Sequence, residues 1–131
     1  MGLGVDGQKE TKPEPIEERT YRFALRVLKL VSSMPPTVAA TVLGRQVLRS
    51  ATSIGANVEE AKGASSRRDF TNKMTIALKE ARETHYWLRL IRDTETFDEE
   101  RMAPIVQEAM EIKKILSVTV KTARDHPDRH A

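Results

Sequence analysis

The 131-residue chain contains no cysteine. That excludes disulfides, thiol catalysis and cysteine-ligated zinc together, and it fits a cytoplasmic protein. Aromatic residues make up only 5% of the chain, which suits helices packed through Leu, Ile, Val, Ala and Met better than a β-sandwich. No apolar run approaches the roughly 18 residues that a membrane span needs, so no membrane association is expected. The opening MGLGVDGQKE has no apolar core and does not read as a signal peptide. Its Asp6 stands where a myristoylation site carries Ser or Thr. Residues 1–13 read as a disordered lead-in, 14–124 as one folded domain and 125–131 as a flexible tail.

Catalytic patterns are equally sparse. A di-iron bundle needs Glu-x-x-His on two helices, and none of the three histidines has Glu three positions before it. His126 and His130 flank Pro127, which prevents a regular helix between them. Ser50, Ser53 and His85 supply hydrolase residue types, but inside helical segments without a strained turn or oxyanion donors. Glu80 and Glu83 read as structural partners of an arginine. There is no Gly-rich phosphate loop. The expectation is a protein with no catalytic residues, no metal and no cofactor.

Hydrophobic residues are 39% and charged residues 31% of the chain, and their periodicity is helical throughout. A first helix starting near Pro15 carries the inward row Ile16, Thr20, Phe23, Val27, Leu30 and Met34. Pro35 and Pro36 end it, and Thr37 is the N-cap of the next. The second helix carries Ala40, Gly44, Val47, Ala51, Ile54, Val58 and Ala61, and ends at Gly63. Ser66 and Asp69 form an acidic capping box before Phe70, Met74, Ala77, Ala81, Thr84, Leu88 and Ile91. Asp98 opens the fourth helix, with the row Met102, Ile105, Ala109, Ile112, Leu116, Thr119 and Ala123. Short links force neighbours to run antiparallel. The predicted fold is therefore all-α, an up-down-up-down four-helix bundle, with breaks near 35–36, 63–66 and 94–98.

The second helix also carries a polar row beside its apolar one: Gln46, Arg49, Ser50, Ser53, Asn57 and Glu60. A solvated flank usually carries Lys and Glu. Short hydrogen-bonding side chains instead permit close approach by another helix. The stretch QVLRSATSIGANVEEA resembles the motif Gln-x-x-Arg-x-x-x-Ser-Ile-x-x-Asn-Ile-x-Glu-Gly of the 23S rRNA intervening-sequence protein family, also called simply four-helix-bundle proteins. It departs at Ala61, where Gly is usual, and at Glu59, where Ala is common. DFTNKMTIALKEARETHYWLRLI is similar to that family's third helix. The resemblance implies a ring-shaped homopentamer with no established enzymatic activity. It also implies a distant relation to accessory proteins of diversity-generating retroelements, which bind a reverse transcriptase and nucleic acid. Folding about Gly63–Ser66 brings Arg49 towards Glu80 and Glu83. Together with Gln46, Ser50, Ser53, Asn57, Glu60 and Trp87, these are the expected polar cluster or subunit interface, and Tyr86 is a further candidate anchor.

Net charge is +3, unevenly spread: residues 43–92 carry +5, residues 93–112 carry −6 and residues 113–131 carry +3. The bundle topology places Lys62, Arg67, Arg68, Lys73, Lys121 and Arg124 near one end and Asp93, Glu95, Asp98, Glu99 and Glu100 at the other. A basic end attracts phosphate backbones without reading sequence. RNA or DNA is therefore the expected partner of that end, and a protein-only interaction scaffold is the alternative. No aromatic interleaves these basic residues for base stacking.

Overall fold

The computed structural model describes residues 13–126. Residues 1–12 of the expected lead-in and 127–131 of the expected tail lie outside the described residues. Four helices form an antiparallel bundle: α1 (Ile16–Ser32), α2 (Val38–Lys62), α3 (Arg67–Asp93) and α4 (Glu99–Asp125). There is no strand among the described residues.

Local chemistry sets the helix starts. The Thr37 hydroxyl accepts from the Ala40 amide at 3.1 Å, Ser66 from Asp69 at 3.0 Å and Asp98 from Arg101 at 2.9 Å. Each satisfies one of the amides left without a partner in the first turn. The Gly63 stop differs from a left-handed cap: its φ is −97°, so glycine is not required there by backbone conformation. The left-handed residue is Glu95, at φ 58° just beyond the α3 C-cap. Pro104 lies inside α4 without ending it.

The core is the merged inward rows. Val47, Ala51, Ile54 and Val58 of α2 meet Met74, Ala77, Ala81 and Leu88 of α3, with Phe23, Val27, Met102, Ile112 and Leu116 completing it. In α4 the inward position at the last full turn is Val120, not Thr119. Thr119 is half-buried and returns its hydroxyl to the Ile115 carbonyl at 2.9 Å. At the two ends of the first row, Ile16 and Met34 are only partly buried. The most extensive helix contact is α2 with α3, and among helices adjacent around the bundle α1 meets α4 over the narrowest one. Arg19 of α1 spans that seam, donating from Nε and Nη2 to the two Glu108 oxygens at 2.7 and 2.9 Å.

Ile54 is about as fully buried as a side chain can be, at 1% exposure. Ile54→Ala should lower unfolding free energy by about 2–5 kcal/mol, as buried large-to-small changes do. Urea denaturation measures this; a loss below about 1 kcal/mol would place Ile54 outside the core.

Candidate functional site

The α2–α3 hairpin assembles a polar network on its outer side. Arg49 lies between Glu80 and Glu83. Its Nη1 is 3.4 Å from Glu80 Oε1, its Nη2 pairs with Glu83 Oε1, and the same Nη2 donates to Gln46 Oε1 at 3.4 Å. The Trp87 indole N–H donates to Glu83 Oε1 at 3.2 Å. Glu80, Glu83 and Trp87 follow at spacings of three and four, so one face of α3 presents all three to α2. Arg49 is half-exposed, and surface ion pairs contribute only about 0–1 kcal/mol. The network therefore fixes where groups stand more than it stabilises the fold.

Beneath it is a second polar bridge, fully buried. Thr84 Oγ1 lies 2.7 Å from Ser50 Oγ and 2.8 Å from its own helix's Glu80 carbonyl, while Ser50 reaches the Val47 carbonyl at 3.3 Å. Every hydroxyl here has a partner, as burial in a core requires. Asn57 and Glu60 stand apart from this assembly. The Asn57 amide donates to the Ser53 carbonyl at 2.9 Å, on its own helix, and Glu60 is exposed. Ser53 is half-buried on the same side. Tyr86 is exposed, with its ring edge-on to Trp87 at 5.0 Å.

At the end where α3 begins, Arg67, Arg68 and Arg124 line one open cleft together with Ser65, Ser66, Thr71 and Asn72. The other basic residues read from the sequence are placed differently. Lys62 pairs with Glu17 at 3.0 Å and Lys121 with Asp125 at 2.7 Å. The Lys62 ammonium holds the Glu17 carboxyl below its usual range, and Lys121 does the same for Asp125. Lys73 does not line the cleft. At the opposite end, Asp93, Glu95, Asp98 and Glu99 gather around Phe97. Two arginines temper them: Arg92 pairs with Asp93 at 2.7 Å, and Arg101 stacks over the Phe97 ring at 4.5 Å.

His85 is buried, which the inward row of α3 did not indicate; Leu78 is a second buried position outside that row. The His85 Nδ1 lies 3.4 Å from Lys113 Nζ on α4, and the cation is the donor there. No group of three potential metal ligands occurs among the described residues, and no described helix is long and apolar enough to cross a membrane.

Residues 15–118 match the 23S rRNA-intervening sequence protein family. The chain belongs to that family. A solved structure of a protein of unknown function from the S23 ribosomal protein family of Bacteroides thetaiotaomicron is similar to it. The two share 42% identity and a TM-score of 0.76, over 82% of this chain and 100% of that one. No curated protein matches the chain. The family's polar motif positions divide in the bundle: Gln46, Arg49, Glu80 and Glu83 join one surface network, while Asn57 and Glu60 do not.

Burial lowers the His85 pKa first, and the positive charges of Lys113, Arg89 and Arg92 lower it further. The unfolded chain therefore takes up this proton more readily than the folded one. The neutral imidazole's contribution to stability is complete above about pH 6.5 and is lost as pH falls below it. Denaturation midpoints measured from pH 7.5 to 5 should decline for the native chain and flatten in His85→Gln. An unchanged slope in that variant would assign the decline to other groups.

Proposed function

We propose that this protein is a non-catalytic, ring-forming scaffold that binds RNA or DNA through the basic end of its bundle. The observation that carries this reading is the cleft at the start of α3, where Arg67, Arg68 and Arg124 come together without an intervening carboxylate among the cleft residues. Guanidinium groups match phosphate oxygens in fork geometry, and Ser65, Ser66, Thr71 and Asn72 offer neutral hydrogen bonds beside them. Those contacts serve a backbone rather than base edges, so binding is indifferent to sequence. In a cyclic assembly every copy turns the same end to one side, so the cleft recurs around a rim and the field of a weakly charged chain is multiplied.

The family resemblance supports a pentamer and, through accessory proteins of diversity-generating retroelements, a nucleic-acid enzyme such as a reverse transcriptase as protein partner. The absence of catalysis is supported by what the candidate groups do. The His85 ring faces Lys113, and the Ser50 hydroxyl is fully buried in a bridge to Thr84. The second reading, a protein-only scaffold, draws on the acidic end, where Asp93, Glu95, Asp98 and Glu99 surround Phe97 in an open cleft.

Titration of labelled single-stranded RNA against the assembled protein at increasing salt is the test. Affinity should fall steeply with salt, and Arg67→Glu with Arg68→Glu should lower the log–log slope by about 2 while leaving the oligomer intact. Absence of binding to either RNA or DNA at low salt would make the protein-only scaffold the better description.

A further inference from the structure

Two faces of the bundle remain without a partner in the single chain, and they are complementary. On α1, Tyr21, Leu25 and Leu28 follow at spacings of four and three and form one outward stripe, at 64%, 47% and 41% exposure. A helix that buries Phe23, Val27 and Leu30 on its core side has no folding use for a second apolar stripe. Arg22, Arg26 and Lys29 border the stripe and share an open groove with it. Arg22 pairs with Glu14, and neither Arg26 nor Lys29 has an ion pair among the described residues. On the outer side of the α2–α3 hairpin, Val42 and Ile76 are exposed apolar residues near opposite ends of the face. Between them two carboxylates, Glu80 and Glu83, share the single guanidinium of Arg49. Within that triad the carboxylates outnumber the guanidinium, and exposed Lys79 stands one helical turn from Glu83 on α3.

The two faces are level with each other. Thr20 of α1 is opposite Gly55 of α2, where an added Cβ would lie 3.5 Å from Thr20 Oγ1. Counting six residues along each helix from that contact, Arg26 and Arg49 both stand about 9 Å further up the bundle axis. Glu80 and Glu83 are at the height of Arg49. A rotation about an axis parallel to the helices preserves height. It therefore carries Arg26 and Lys29 of one copy to the level of Glu80 and Glu83 of the next. The faces also belong to neighbouring sides of the bundle, roughly a right angle apart, and a head-to-tail contact between such faces closes after about four or five copies.

We propose that the α1 stripe of each copy docks on the α2–α3 outer face of the next, with Arg26 and Lys29 meeting Glu80 and Glu83 across the joint. This rests on the ring reading and specifies the contact that builds it. It makes the Arg49 network one half of an interface, held in place before its partner arrives.

The test uses two variants of the full chain, each altered at exposed positions: Leu25→Asp with Leu28→Asp on the α1 stripe, and Ile76→Asp on the receiving face. Circular dichroism checks folding, and native mass spectrometry counts copies. Each variant alone should be monomeric. Mixed in equal amounts they should form a heterodimer and nothing larger, because only one stripe and one receiving face survive intact. Should either variant misfold, Arg26→Glu with Lys29→Glu, changes at exposed surface positions, should still weaken assembly, and a ring unaffected by them overturns the charge contact. A wild-type ring that survives the stripe substitutions overturns this inference and leaves the ring. Dissociation by the stripe variant but not by Ile76→Asp overturns it too, since stripes would then pair with each other. A monomeric wild type overturns the ring reading itself.

Discussion

The structure depends on how closely α2 approaches the helix on either side of it. At Gly44 an added Cβ would lie 3.3 Å from Val31 Cγ1, and at Gly55 it would touch both the Thr20 hydroxyl and its carbonyl. On the other side, Ser50 is small enough to lie fully buried against Thr84. Short side chains at these positions set the axial level of all three helices, since a one-residue slip would move each of them about 1.5 Å and rotate it by a quarter-turn or more. Arg49 meets Glu80 and Glu83 because that level is fixed, and for the same reason Arg26 stands at their height on a different side of the bundle.

The three links cost little chain. Pro35 and Pro36, the Gly63–Ser66 turn and the Glu95–Asp98 loop each reverse direction within a few residues, and a hydroxyl or carboxylate caps the helix that follows. Antiparallel order then separates charge along the axis. The separation is weaker than the chain's charge pattern suggests, because opposite charges meet at both ends: Lys62 with Glu17 and Lys121 with Asp125 at one, Arg92 with Asp93 at the other. What survives at the basic end is arginine rather than lysine, in a cleft rather than over a broad surface.

Helix number, order, caps and most of the core were legible in the sequence, because 4-3 apolar spacing and breaker residues report directly on burial and turns. The Thr119 position was not. Near a helix end, one inward place separates Thr119 from Val120, and a row extrapolated at fixed spacing drifts against a 3.6-residue turn. Leu78 and His85 were missed because α3 buries a wider arc than a single row, being packed on both α2 and α4. The polar row on α2 was legible as a row, but its division was not. Arg49 and Gln46 are long enough to join the α3 carboxylates, whereas Asn57 turns back to its own helix. Nor could spacing along single helices pair Lys62 with Glu17, a contact made only when α1 and α2 are brought side by side. The α1 stripe of Tyr21, Leu25 and Leu28 was readable in principle, as a second 4-3 row out of phase with the first.

The central claim is that the α2–α3 outer face is a covered surface in the working protein. Trp87 is the only tryptophan; it packs partly against the core and borders that face through its bond to Glu83, so a change in its fluorescence while the fold stays intact reports on that surface. The direct measurement is Trp87 emission and acrylamide quenching as the wild-type protein is diluted through its dissociation range. The account predicts blue-shifted, poorly quenched emission in the assembled state and a red shift with rising quenching on dilution. Emission and quenching that stay constant across all concentrations would contradict it.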